Sequence, residues 1–130
     1  MDSRHRIEVC QYLVVANTTR ALRARPEGCC PLRPIDPLGK ARRGRLVGVF
    51  KALADPTRLE ILRLVSAQPG ATCVCDIVGH FDLSQPTISH HLKVLRDAGL
   101  LTSTKLGIWS FHSPTDEALE FLTEAESLLA

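Results

Sequence analysis

The chain has 130 residues, 45% of them hydrophobic, which is a single-domain length with enough apolar residues for a modest core. No apolar run is long enough to span a membrane and the N-terminus lacks the uninterrupted apolar core of a secretory signal, so a cytoplasmic protein is expected. The net charge of +2 hides an asymmetry, since residues 1–45 carry ten Arg or Lys against four acids and residues 46–130 carry six against ten. This balance excludes binding of nucleic acid by bulk charge but permits a few local basic contacts.

Residues 1–44 are rich in Arg and show no sustained hydrophobic period. Prolines punctuate their second half, and proline-spaced backbone cannot form a regular hydrogen-bonded ladder. We therefore predict a flexible basic arm over residues 1–44, followed by a folded domain over residues 45–130. The arm carries the adjacent pair Cys29 and Cys30. The five cysteines of the chain do not have the pattern of a secreted disulfide framework, so thiols or metal ligands are expected.

The folded part is predicted to begin with two helices. Apolar residues recur at helical spacing from Arg45 onward, and this stripe consists of Leu46, Val49, Phe50 and Leu53. Asp55 followed by Pro56 is a typical helix start, so a second helix is predicted to run from there to about Pro69. Its predicted apolar side consists of Leu59, Ile61, Leu62, Leu64 and Val65.

A short third helix is predicted over residues 72–78, followed by a turn and a fourth helix with a clear start. Ser84 is a good N-cap, and Pro86 is tolerated because donors in a first turn have no intrahelical partner. The inward stripe of this fourth helix consists of Ile88, Leu92 and Leu95. Two short helices joined by a tight turn form a helix-turn-helix.

The outward face of the fourth helix is polar and carries almost no acid. It presents short donors and acceptors that suit base edges in a major groove, namely Gln85, Thr87, Ser89 and His90. Lys93 on the same side is available to a phosphate. The alternative is an ordinary amphipathic helix with a solvated polar face, and the helix sequence alone does not exclude it.

A small β-hairpin, or wing, is predicted after Gly99. Residues 100–105 and 108–112 alternate around Leu106 and Gly107, which is typical of two strands joined by a tight turn. His112 is expected to be a solvated residue of this hairpin.

A final helix is predicted from Ser113 to the end of the chain, with Ser113 as its cap and Pro114 in its first turn. Its apolar stripe consists of Ala118, Phe121, Leu122, Ala125 and Leu129. One small winged domain offers little area to cover both this stripe and that of the first helix. We therefore predict that the two helices pack against a second copy of the chain.

Three segments in this order resemble the ArsR/SmtB family of bacterial metal-responsive repressors. They are Phe50-Lys51-Ala52-Leu53-Ala54-Asp55-Pro56-Thr57-Arg58-Leu59, Cys73-Val74-Cys75-Asp76 and Leu83-Ser84-Gln85-Pro86-Thr87-Ile88-Ser89-His90-His91-Leu92-Lys93. The resemblance covers about residues 45–126 and implies a mainly α, dimeric winged helix-turn-helix that binds double-stranded operator DNA near its own promoter. It also implies that Ser84, Gln85, Thr87, Ser89 and His90 face the groove, whereas Lys93 and Lys105 contact the DNA backbone.

Cys73 and Cys75 are candidates for an inducer site, because thiolates are the soft ligands that thiophilic ions select. Two residues of a regular helix diverge by about 200° when they are two positions apart. Their sulfurs can therefore converge only if the first turn is irregular, with Cys73 at or before the cap. The Cys-Val-Cys-Asp segment resembles the motif of arsenic and cadmium sensors, and the family's cadmium and lead sensors add cysteines from an N-terminal arm.

We therefore expect a repressor that trivalent arsenic or antimony releases from its operator by binding thiolates of Cys29, Cys30, Cys73 and Cys75, since two sulfurs do not complete such a site. Alternatives are a cadmium- or lead-responsive repressor, a thiol redox switch with an arm-to-helix disulfide, or a winged helix used only for protein contacts. A further alternative is that Cys73 and Cys75 are small core residues and bind no ion. Zinc is a weaker candidate, because the family's zinc sensors use Asp, His and Glu on a terminal helix that here has no His. No enzyme activity and no organic cofactor are expected, since His90 and His91 lack a spaced acid or nucleophile.

Overall fold

The structure is a computed structural model, and it describes residues 34–130. Within that range the chain forms five helices and a three-stranded antiparallel sheet. The helices are α1 (Lys40–Leu53), α2 (Pro56–Ser66), α3 (Val74–His80), α4 (Gln85–Asp97) and α5 (Asp116–Leu129), and the strands are β1 (Thr72–Cys73), β2 (Leu101–Leu106) and β3 (Trp109–Pro114). The predicted winged helix-turn-helix is confirmed. Cys29 and Cys30, with most of the predicted arm, lie outside the described residues.

The first helix begins at Lys40, earlier than the predicted onset at Arg45. Residues 40–44 contain no large apolar side chain, so they add nothing to a hydrophobic period and the sequence pattern could not detect them. Residues 38–130 form one compact unit. The early onset brings three more bases into this unit, which with Arg45 therefore carries ten bases and ten acids, whereas residues 46–130 alone carry six and ten.

The hydrophobic core receives at least one side chain from each of the five helices and two from the start of the wing. Its buried members are Ala52, Ile61, Leu62, Val65, Ile77, Ile88, Leu92, Leu95, Leu100, Leu101, Ala118 and Leu122. The predicted inward stripe of α4 is confirmed in full. The predicted stripe of α2 was too wide, because Leu59 is exposed and Leu64 is only half-buried.

A polar junction joins the end of α1 to the start of α2. Asp55 caps α2 as predicted, accepting from the backbone N–H of Arg58 at 2.9 Å, and this hydrogen bond holds the pKa of the Asp55 carboxyl below its usual value. The Arg58 side chain runs back to α1, where its guanidinium donates to the carbonyls of Ala52 and Lys51. It also lies 3.7 Å from a carboxylate oxygen of Asp55. Arg58 thus binds carbonyls at the end of α1 that have no donor within that helix.

The sheet has the order β1-β3-β2 and is antiparallel throughout. β2 and β3 form the predicted hairpin, with Leu106 paired to Trp109 across the two-residue turn of Gly107 and Ile108. Gly107 has a φ of +61°, a conformation that glycine adopts at no steric cost. The sequence placed residues 72 and 73 in a helix, but they form β1, with Cys73 in register with Phe111 of β3.

The predicted cap of the last helix was wrong. Ser113 and Pro114 still belong to β3, where Pro114 is paired with Leu101. Thr115 is the cap instead, since its hydroxyl accepts from the backbone N–H of Ala118 at 3.2 Å and donates to the Gly99 carbonyl at 2.9 Å. The pairing of β3 with β2 therefore includes Ser113 and Pro114, the two residues whose sequence had predicted a helix start.

His112 is buried, contrary to the prediction that it is solvated, and its exposed fraction is 2%. The alternation of β3 places it on the same face as Leu101 of the paired strand, toward the core. Its Nε2 lies 3.2 Å from the Ser110 hydroxyl, and its Nδ1 has no hydrogen-bond partner within the described chain. Burial lowers the pKa of His112, because a charged imidazolium is poorly solvated there.

Candidate nucleic-acid interface and thiol site

The start of α4 is organised by two hydroxyls. Ser84 is the N-cap, in extended conformation, and its Oγ lies 3.4 Å from the backbone nitrogen of Thr87. The same Oγ lies 2.8 Å from the Thr87 hydroxyl. Both predicted groove residues therefore hold one another and the helix start in place, which pre-organises the end of α4 that is expected to meet DNA.

The outward face of α4 is exposed along its whole predicted length. Gln85, Ser89 and His90 are all exposed, and within residues 34–130 their side chains make no hydrogen bond that would occupy their donors and acceptors. The core-facing residues of the same helix are fully buried. The helix is thus anchored on one side and offers free polar groups on the other, which suits direct contact with base edges.

The two predicted backbone contacts differ in their surroundings. The Lys93 ammonium is paired with the Asp97 carboxylate at 2.6 Å, and both side chains are more than 60% exposed. The hydrogen bond from Lys93 lowers the pKa of Asp97. Lys105 lies on β2, opposite Ser110, and has no ion pair within the described part of the chain. A phosphate contact by Lys93 would therefore require it to leave Asp97, whereas one by Lys105 would break no ion pair among the described residues.

Cys73 and Cys75 lie at the start of α3 with their sulfur atoms in direct contact. Cys73 is the last residue of β1 and the N-cap of α3, in extended conformation, and its Sγ accepts from the backbone N–H of Cys75 at 3.4 Å. The predicted irregular start with Cys73 at the cap is therefore confirmed. The two sulfur atoms converge as predicted, with their Cα atoms 5.3 Å apart.

Asp76 extends this pair into a group of three possible ligands. One ligand atom from each of Cys73, Cys75 and Asp76 lies within 4.8 Å of the others, and no other trio of His, Cys, Asp or Glu across residues 34–130 meets this criterion. Cys73 is buried, while Cys75 and Asp76 are exposed. Asp76 belongs to the motif identified in the sequence but was not predicted to be a ligand. Its position in the first turn beside two thiols was the available signal.

The thiol site is connected both to the helix-turn-helix and to the wing. Cys73 pairs with Phe111 in the central strand of the sheet, and Phe111 pairs in turn with Thr104 of the wing's other strand. On its other side Cys73 leads directly into α3, the first helix of the helix-turn-helix. A shift of the Cys73 backbone therefore has a covalent route to α4 and a hydrogen-bonded route to the wing.

The sequence is similar to that of bacterial regulatory proteins. Residues 55–103 match the family described as "Bacterial regulatory protein, arsR family". The arsenical resistance operon repressor of Bacillus subtilis is 46% identical over 77 residues, which is 59% of this chain and 72% of that protein. A cadmium resistance transcriptional regulatory protein CadC homolog of Staphylococcus aureus is 40% identical over 76 residues, which is 58% of this chain and 62% of that protein.

The fold is also found in solved structures. A possible ArsR-family regulator from Mycobacterium bovis, described as a homodimeric winged helix-turn-helix DNA-binding domain, has a TM-score of 0.63 at 23% identity. The match covers 68% of this chain and 82% of that one. The matched family segment, residues 55–103, contains both the thiol site and all of α4.

Proposed function

This chain belongs to the ArsR family of bacterial regulatory proteins, and on that premise we propose that it is a transcriptional repressor released from its operator when trivalent arsenic binds its cysteine thiolates. The observation that carries the proposal is the convergence of the Cys73 and Cys75 sulfurs. They converge on the helix that precedes α4, whose exposed polar face is suited to DNA.

The chemistry of the sulfur pair suits trivalent arsenic once both thiols are reduced. Thiolates are soft ligands, and each As–S bond that forms replaces one As–O bond of arsenite, with the thiol proton and the departing hydroxide leaving as water. Cys73 and Cys75 supply two converged sulfurs, and a pyramidal arsenic or antimony centre takes a third. We propose that Cys29 or Cys30 of the N-terminal arm supplies it, on the same chain or from a second copy.

The first alternative is a cadmium- or lead-responsive repressor, and the position of Asp76 favours it. Its carboxylate lies within 4.8 Å of both sulfurs. An oxygen donor beside two sulfurs suits a divalent ion that accepts mixed ligands better than an arsenic centre that prefers sulfur. Asp76 is therefore the residue that separates the two proposals experimentally.

The second alternative is a thiol redox switch on the same fold. The contact between the two sulfurs favours it, because a Cα separation of 5.3 Å lies within the range that a disulfide spans. In this case the two thiols of Cys73 and Cys75 lose two electrons and two protons to an oxidant such as a peroxide, and a disulfide forms. Release of DNA by arsenite in excess reductant separates this mechanism from metal binding.

Operator binding is proposed to rest on α4 and the wing. Gln85, Ser89 and His90 meet base edges, with Ser84 and Thr87 at the helix start, and Lys93 and Lys105 contact phosphates. The compact unit carries equal numbers of bases and acids. Affinity therefore depends on where the bases are placed, and not on net charge.

We also propose that the repressor is a homodimer built on α1 and α5. The two helices are joined by an edge-to-face contact of Phe50 with Phe121, at 5.9 Å between ring centroids, and by an ion pair of Arg45 with Glu117 at 3.1 Å. Large apolar side chains remain exposed on both helices, namely Leu46, Val47, Phe50, Leu119, Leu128 and Leu129. A second copy would cover this surface and place two α4 helices about one DNA turn apart.

Inducer binding is proposed to act through Cys73. Drawing the arm onto the thiol site strains the junction of β1 and α3, which moves α4 and the wing relative to the second copy. Coupling between two sites is typically about 1–3 kcal/mol, which corresponds to a roughly 5- to 150-fold loss of operator affinity.

The test is a joint titration of the reduced protein with arsenite, cadmium, lead and zinc. Thiolate-to-metal absorbance reports binding, and the mobility of a bound duplex reports release. We expect the double variant Cys73→Ser, Cys75→Ser to bind the duplex as the intact protein does and to be insensitive to arsenite. Cys29→Ser with Cys30→Ser is the companion variant, and it should weaken arsenite binding without abolishing it.

Two results would overturn the proposal. Release of DNA by arsenite from the Cys73, Cys75 double variant would place the inducer site elsewhere. Retention of DNA by the reduced intact protein at saturating concentrations of every ion would show that the thiol site is not coupled to DNA binding.

A further inference from the structure

The tip of the wing carries three large apolar side chains in water. Leu106, Ile108 and Trp109 are 63%, 91% and 51% exposed. They surround a two-residue turn whose Gly107 has a φ of +61°, and such a turn holds the strand ends in fixed register. We call residues 106–109 the wing tip. Three neighbouring apolar side chains at one turn form an apolar surface that a contact would remove from water.

The stem of the wing has a composition that fits DNA. Residues 98–115 contain no Asp or Glu, although residues 46–130 contain ten. Lys105 is their only Lys or Arg, and hydroxyl side chains flank it on both strands, namely Thr102, Ser103, Thr104 and Ser110. A hydroxyl-rich stem with one base and no acid can lie against phosphates without like-charge repulsion.

The register of the hairpin separates the apolar and basic groups. Leu106 and Trp109 are directly paired and share one face, whereas Lys105 and Ser110 form the next pair, on the other face. Ile108 lies at the turn itself. A groove entered by the tip would therefore meet apolar side chains at its floor, with Lys105 near a flanking phosphate.

We propose that the wing tip is an apolar wedge that enters the minor groove of the operator and kinks the duplex. This inference rests on the proposed function, since it requires a DNA-bound state. Apolar side chains inserted at a base step partly unstack it and bend DNA by roughly 20–90°. The wedge would favour operators with an easily unstacked pyrimidine–purine step beneath the tip, so it reads sequence through deformability.

The test uses Trp109, which is the only tryptophan of the chain. Reduced full-length protein first selects a duplex from a pool of random sequences, each about 40 bp long, or a few helical turns. Gel mobility then confirms binding. We expect Trp109 in the complex to be protected from acrylamide quenching. We also expect energy transfer between dyes on the two duplex ends to increase, because a kink shortens the distance between them.

A variant and a matched control complete the experiment. Leu106→Ser with Ile108→Ser should bind the selected duplex roughly 10-fold more weakly, the scale expected when one apolar side chain is no longer removed from water, and should leave the duplex straight. Its preference at positions beneath α4 should not change. Ile35→Ser removes an equally exposed isoleucine, 87% exposed, from outside the wing and should behave as the intact protein.

The outcomes are distinguishable. If the complex forms while Trp109 stays as accessible as in free protein and the duplex stays straight, the wing tip does not contact DNA and faces another macromolecule, so the proposal is wrong. If no duplex is selected or shifted, the proposed repressor function fails first, before fluorescence is measured.

Discussion

Arg58→Ala is predicted to destabilise the protein far more than alanine substitution of an exposed arginine in the same helix. The Arg58 side chain is 17% exposed and donates to the carbonyls of Ala52 and Lys51 while pairing with Asp55. Ala52 is 3% exposed, so its carbonyl would gain little hydration when the guanidinium is removed. An unsatisfied buried acceptor costs about 1–3 kcal/mol, and the half-screened ion pair adds less than about 1 kcal/mol.

The expected total loss is about 2–3 kcal/mol of the free energy of unfolding. For a domain of this size each 1 kcal/mol lowers Tm by roughly 4–8 °C, so a decrease on the order of 10–20 °C is expected. Circular dichroism during heating and urea unfolding, at one fixed protein concentration, measures both quantities. Concentration must be fixed because a dimer gains stability by mass action.

Arg63→Ala is the matched control, since it makes the same change in the same helix. Arg63 pairs with Glu60 at 3.2 Å and with Glu126 at 3.3 Å, but its side chain is 52% exposed. Water replaces these partners, so little change in stability is expected. Equal Tm values for the two variants would refute the assignment of Arg58 as the link between α1 and α2.

Three further predictions concern the sites. Burial lowers the pKa of His112 below its ordinary value of 6.5, so as pH falls the imidazole is protonated in the unfolded state before it is protonated in the folded state. The free energy of unfolding should therefore be highest above pH 6.5 and should decrease as pH drops toward the folded pKa. The urea midpoint of His112→Gln should depend less steeply on pH than that of the intact protein. A slope that His112→Gln leaves unchanged would contradict this origin. Asp76→Asn should weaken cadmium binding by more than the roughly 10-fold typical of outer-sphere partners and leave arsenite binding nearly intact, measured by thiolate-to-metal absorbance; equal losses for both ions would remove Asp76 as a discriminating ligand. Gln85→Ala or His90→Ala should change base preference by about 1–3 kcal/mol at one position, whereas Lys105→Ala should weaken all duplexes alike and reduce the salt slope by about 1, measured by competition binding at several salt concentrations. Unchanged preference in both α4 variants would show that α4 does not contact bases.

Much of the fold could be predicted because its signals are local. Asp55 and Ser84 were identified as caps because a cap needs only its own side chain and the next three residues. The buried stripe of α4 followed from helical period, and the wing followed from alternation around Leu106 and Gly107. The irregular start at Cys73 was predicted from the requirement that two sulfurs two residues apart converge.

The exposed apolar side chains of α1 show what a local sequence pattern does not predict. The stripe Leu46, Val49, Phe50 and Leu53 was correctly assigned to one helix, yet only Val49 and Leu53 pack on the core. Periodicity shows that a face is apolar but not which surface covers it. The remaining exposed residues are the basis of the proposed dimer.

The sequence by itself determined that five helices and a hairpin are present, where most of them begin, and which face of α4 is polar. Only the tertiary structure decided that β1 pairs with β3, that His112 is buried, that Thr115 caps α5, and that Arg58 binds the carbonyls of α1. The physical reason is the range of the interactions. Caps and periods depend on neighbours within a few residues, whereas strand register and the burial of a polar side chain depend on partners that are distant in sequence and near only after folding.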